Sequence, residues 1–145
     1  MSSRSSCRTL LAFSLGVHSL AAAPPDFNRD VRPVLAQHCF TCHGMDEHAR
    51  KGKLRLDLHE SALGKGKSGE IAILPGKPDE SEVIKRIFSA DEDELMPPPH
   101  TKKVVLEKDK AVLKAWIAAG APYQEHWAYV PPQPAPLPVK DAHPI

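Results

Sequence analysis

The most reactive grouping in the chain is Cys39-Phe40-Thr41-Cys42-His43. Two thiols three residues apart lie on one side of a helical turn, where each can add to one vinyl group of a haem. The histidine that follows sits under the macrocycle and can coordinate the iron axially. C-x-x-C-H is the attachment pattern of c-type haem, so these residues point to one covalent haem c on Cys39 and Cys42 with His43 as proximal ligand. Other chemistries fit less well. A structural zinc site needs a second compact pair of Cys or His, and only His48 and His59 are at hand. A thioredoxin-like dithiol opens a helix after a strand, whereas these cysteines end a helix. A plain disulfide leaves His43 without a purpose.

A closed haem site also needs a ligand on the opposite face. Met45 stands two residues beyond His43 and is tied to the proximal side. Met96 lies far downstream between two expected helices, and Pro97, Pro98 and Pro99 stiffen the backbone behind it. Met96 is therefore the expected sixth ligand, and Met/His ligation raises the haem potential above that of a bis-His site. His48, His59 and His100 are the alternatives. An open distal position would instead suit a haem enzyme or a ligand sensor.

Two further patterns mislead. Residues 64–69, Gly-Lys-Gly-Lys-Ser-Gly, match G-x-G-x-x-G, but no strand precedes them and Pro75 cuts the apolar run that follows. The same residues mimic the end of a phosphate loop, whose first glycine would stand where Ser61 does. This stretch reads as a flexible loop. Lys53, Arg55 and Trp116 are possible partners for haem propionates, although the first two have the pattern of surface residues and Trp116 that of a core residue. The acidic run 91–94 reads as a solvated edge near the haem mouth. No Ser/His/Asp constellation or paired carboxylate suggests a catalytic residue.

Three helices position these groups. The first runs from about residue 30 into the cysteine motif, with Val31, Val34, Leu35 and His38 on one face, Asn28 or Asp30 as cap, and Pro33 in the first turn. The second follows Pro78, capped by Asp79 or Ser81, and buries Val83, Ile84, Ile87 and Phe88. The third covers about 106–119, buries Val112, Leu113, Trp116 and Ile117, and stops at Gly120 and Pro122. Leu54, Leu56 and Leu58 alternate with charged residues, as in a short extended piece. So little helix makes a small core, and chains of this kind are often held together by a cofactor.

The start of the chain reads as an export signal: Arg4 and Arg8, an apolar run over 10–17, then Ala21-Ala22-Ala23. The run is far below the ~20 residues of a spanning helix. Removal of residues 1–23 takes away Cys7 and two of the 19 basic residues, leaving the 18 acidic ones one in excess. That balance gives no footprint for nucleic acid or anionic membrane. An exported, periplasmic or cell-envelope protein without a transmembrane helix in its mature form is expected. Five prolines over 130–138 form a semi-rigid linker.

Taken in order, the motifs resemble the planctomycete-type cytochrome c domain. The resemblance runs through 26–35, 39–44, Leu54-Arg55-Leu56-Asp57, 74–78, 81–87, Met96-Pro97-Pro98, Trp116-Ile117 with Gly120-Ala121, and His126-Trp127-Ala128. It implies an all-α, cytochrome c-like fold of three to four helices with irregular loops, wrapped around a covalent haem. Cys39, Cys42, His43 and Met96 are its cofactor-binding residues. The implied division is a signal at 1–23, the haem domain at 24–127 and a linker at 128–145 leading towards a domain beyond this chain. The implied role is a redox module of a larger exported protein, which is not itself an enzyme and exchanges electrons with a partner protein or an attached oxidoreductase domain.

Overall fold

The computed structural model describes residues 23–125. The expected export signal, except for Ala23, lies outside the described residues, as do 126–128 and the proline-rich linker.

The first helical segment opens with a π-helical turn, Phe27–Val31, and passes directly into α1, Arg32–His38. Its cap is Asp26. The Asp26 carboxylate accepts the Arg29 N–H at 2.8 Å, and the Asp26 N–H donates to the Asp30 carboxylate at 2.8 Å. This reciprocal pair satisfies two N–H groups that have no partner within the helix. The expected caps therefore move: Asp30 is the reciprocal partner, and Asn28 donates to the Glu125 carbonyl at 2.7 Å. Pro33 stands just past the junction of the π turn with α1 and donates no N–H to the turn before it. Val31, Val34, Leu35 and His38 form the buried face, as their spacing predicts.

A kink at Cys39 leads into α2, Phe40–His43. The Cys39 N–H donates to the Leu35 carbonyl and the His43 N–H to the Cys39 carbonyl, each at 2.8 Å, so the two pieces act as one broken helix. The Leu54–Leu58 alternation forms no strand. Its backbone bonds go to the cysteine helix and the next turn: the Leu56 N–H donates to the His43 carbonyl at 2.8 Å, and the Arg55 N–H to the Ser61 hydroxyl at 2.9 Å. Only Leu56 is fully buried, and Leu58 is exposed. A short helix not expected from the sequence, α3 (His59–Leu63), follows.

Beyond a 3-10 turn at Pro78–Glu80 comes α4, Glu82–Ile87. Ser81 holds the N-cap position, but its buried hydroxyl bonds the preceding loop, accepting the Leu74 N–H at 2.9 Å and donating to the Lys77 carbonyl at 2.9 Å. Ile84 and Ile87 are buried. Phe88 is exposed, contrary to its place in the apolar stripe, because the helix ends at Ile87 and turns the ring outward beneath the Lys110 ammonium, 4.7 Å away. After a 3-10 turn at Pro99–Thr101 the chain closes with α5, Glu107–Ala118.

The five α-helices count as four once α1 and α2 are joined, and no strand forms among the described residues. Leu113, Trp116 and Ile117 of α5 pack into a core shared with Phe27 and Leu35. Trp116 is fully buried, and its indole N–H donates to the Pro122 carbonyl at 3.2 Å. Phe27, Trp116 and Tyr123 form an aromatic cluster with centroids 4.5–5.6 Å apart. This packing fixes the start of the broken helix against α5 and leaves its cysteine end facing the loops.

Candidate functional site

Cys39, Cys42, His43 and Met96 line one cavity of about 370 Å³. The volume lies within the ~300–1,000 Å³ range of cofactor-sized clefts. Leu54, Leu56, Ala72, Val83 and Ile87 supply much of its apolar wall. Val83, expected in the buried stripe of α4, faces this space.

Each wall is held by identifiable bonds. The Lys51 N–H donates to the Cys42 carbonyl at 2.7 Å, and the Arg50 guanidinium clasps the carbonyls of Gly44 and Met45 at 3.1 and 2.8 Å. Gly44 ends α2 in close approach to the preceding turn: a Cβ there would stand 2.3 Å from the Phe40 carbonyl oxygen. The loop carrying Met96 is tied at both ends. The Met96 N–H donates to the Arg86 carbonyl at 3.1 Å, and the Lys103 ammonium reaches the Gln37 carbonyl at 2.8 Å and the Thr41 hydroxyl at 3.3 Å. The loop thus runs from the end of α4 to the cysteine helix.

Burial shapes the reactive groups. It pushes the Cys39 thiol up to about 12, only partly opposed by the Lys103 charge, so the group facing the cavity is the thiol. Both cysteines are free. Burial also lowers the His43 pKa, partly offset by the Lys51 main chain. The imidazole is thereby held neutral, the form able to ligate a metal. The Lys51 main chain faces the ring, yet no partner stands in hydrogen-bond geometry to the buried Nδ1 of His43.

A haem fits these residues. Two adjacent thiols, a neutral imidazole and a thioether open onto one mainly apolar space, and a buried histidine nitrogen there lacks a partner. Zinc fits poorly, since no group of three or more metal-ligating His, Cys, Asp or Glu side chains occurs among the described residues.

Met45 is exposed and belongs to a different cavity, with Arg32, Asp46 and Asp57. His48, His59 and His100 are exposed and absent from the haem-sized cavity. Lys53, Arg55 and Trp116 do not line the cavity either: Lys53 is exposed, Arg55 is engaged by the Asp57 carboxylate and Trp116 is in the core. The acidic residues 91–94 are exposed and contribute no lining.

Sequence reasoning placed His38 on a buried face but missed that it lines the cavity, with its Nδ1 buried and unpartnered. It also missed the cationic lining residues Lys67, Arg86 and Lys103. The only available signal for His38 was its position directly before Cys39 on an otherwise apolar stripe.

Residues 39–100 match the family model described as Planctomycete cytochrome C. No curated protein and no solved structure matches the chain. No helix among the described residues is long and apolar enough to cross a membrane.

Proposed function

We propose that the chain, in which residues 39–100 match the planctomycete cytochrome c family, whose activity is haem-based electron transfer, is an exported electron carrier with one haem c and His43/Met96 ligation. Bound haem c supplies a one-electron iron(III)/iron(II) couple that thioether bonds keep from dissociating. Cys39 and Cys42 provide the two thiols for attachment. His43, held neutral by burial, offers its imidazole as proximal ligand. Met96 offers its thioether from a loop braced at both ends. The apolar wall of Leu54, Leu56, Val83 and Ile87 excludes water and favours the less charged reduced state.

The observation that carries this reading is the convergence of all four side chains on one cavity. A closed site passes electrons and performs no chemistry on a bound substrate, so the protein is a redox module rather than an enzyme. The resemblance in the sequence supports a periplasmic or cell-envelope setting within a larger protein, with an attached domain or separate protein as electron partner. Carbon monoxide titration of the ferrous protein tests it. No carbonyl adduct forms if Met96 closes the site, whereas stoichiometric binding favours a haem enzyme or sensor.

A further inference from the structure

Residues 64–69 take no part in the electron-carrier reading, yet part of this segment forms a wall of the cavity. The Gly69 N–H donates to the Gly66 carbonyl at 3.0 Å, closing a β-turn whose two central residues are Lys67 and Ser68. Gly69 takes φ +85, which only glycine adopts readily. The Gly66 N–H donates to the Glu70 carbonyl and the Lys67 N–H to the Gly52 carbonyl, each at 3.0 Å. An isolated antiparallel bridge between Lys65 and Ile71 flanks the turn. Gly66, Lys67, Ser68 and Glu70 all line the space shared by Cys39, Cys42, His43 and Met96.

A haem attached through its vinyl groups carries two propionates on its other edge. Carboxylates brought against an apolar wall need a cation or hydrogen-bond donors. Three basic residues line the cavity, and two are already committed. Lys103 bonds Gln37 and Thr41 on the cysteine helix. Arg86 pairs with the Glu82 carboxylate at 2.7 Å and reaches the Glu94 carbonyl at 3.4 Å. Lys67 makes no salt bridge among the described residues. Ser68 accepts the Glu70 N–H at 3.3 Å, which leaves its own hydroxyl proton to donate.

We propose that the turn at residues 66–69 is the carboxylate clamp of the cofactor, with Lys67 and Ser68 as positioning residues for the haem propionates. The proposal rests on the haem reading above. Glu70 lines the same wall, and its negative charge there repels the propionates and opposes the clamp.

The test uses the haem-loaded protein, with resonance Raman spectroscopy of the propionate-bending band and potentiometric titration. Lys67→Gln shifts the band to lower frequency and lowers the midpoint potential. Lys67→Arg restores both, and Ser68→Ala moves the band less. Glu70→Gln raises the potential. Lys65→Gln removes an equal charge from the same loop outside the cavity and leaves the band in place. An unmoved band in Lys67→Gln, or an equal shift in Lys65→Gln, overturns the clamp while the haem reading stands. A parent protein without covalent haem overturns the reading on which the clamp depends.

Discussion

The Met96 N–H donates to the carbonyl of Arg86 at 3.1 Å, so the loop bearing the thioether is anchored on the last turn of α4. Ile87, one residue beyond Arg86, lines the cavity that Met96 enters. The helix that supplies part of the apolar wall therefore also sets where the sulfur can stand. A ligand held by a braced loop loses little conformational freedom on binding iron, which favours a closed site.

Met96→Ala removes the long-wavelength charge-transfer band of a methionine–iron bond and lowers the midpoint potential, since Met/His ligation lies above the alternatives. His38→Ala keeps the band. Absorption spectra of the ferric forms check both. A parent protein that lacks the band, and whose ferric spectrum changes in His38→Ala but not in Met96→Ala, assigns the ligand to His38, the other cavity-lining side chain with an unpartnered nitrogen.

Gly44→Ala forces a methyl to within 2.3 Å of the Phe40 carbonyl oxygen at the end of α2. The clash is with backbone, so the helix end must move, at a cost of about 1–3 kcal/mol. His43 is adjacent, and its geometry moves too. The thermal midpoint of the haem-loaded protein falls and carbon monoxide binding appears. A variant indistinguishable from the parent in both measurements means that this helix end is free to relax.

The cap at the start of the first helix makes stability depend on acid pH. The Arg29 guanidinium, helped by the Asp26 N–H, holds the Asp30 carboxyl down at about 2. Its ordinary value is about 3.9. A carboxylate lowered in the folded state stabilises the fold above the ordinary value, and that contribution is lost as pH falls through the folded one. Asp26 adds to it in the same direction, its carboxylate accepting the Arg29 N–H. Denaturant midpoints between about pH 5 and about pH 2 fall for the parent. Asp30→Asn starts lower at neutral pH and falls less over the same window. Parallel curves would remove Asp30 from the acid response.

Much of this arrangement can be read from residue spacing, and the misses share a physical cause. The helical stripe of Leu113, Trp116 and Ile117 is strong enough to define α5, and C-x-x-C-H needs only one turn of helix to carry its meaning. Asp26 lies outside the regular helical pattern, because a π turn shifts the helix start upstream of Asn28 and Asp30. Phe88 follows the apolar period yet points outward, because the helix stops one residue before it. The cavity role of residues 66–70 depends on a bond from Lys67 to Gly52, a contact between loops that no local pattern encodes. Met96 could be nominated by elimination, but the anchors at Arg86 and Gln37 that brace its loop appear only in three dimensions.

The central claim is covalent attachment of one haem at Cys39 and Cys42. Expression in a periplasm with cytochrome maturation factors, followed by denaturing electrophoresis with haem staining and a pyridine haemochrome spectrum, tests it directly. The account predicts a stained band that survives denaturation, one haem per chain, and a c-type haemochrome, with the stain lost when both Cys39 and Cys42 are replaced by Ala. A chain without stain whose two thiols react freely, or are joined to each other, would contradict it.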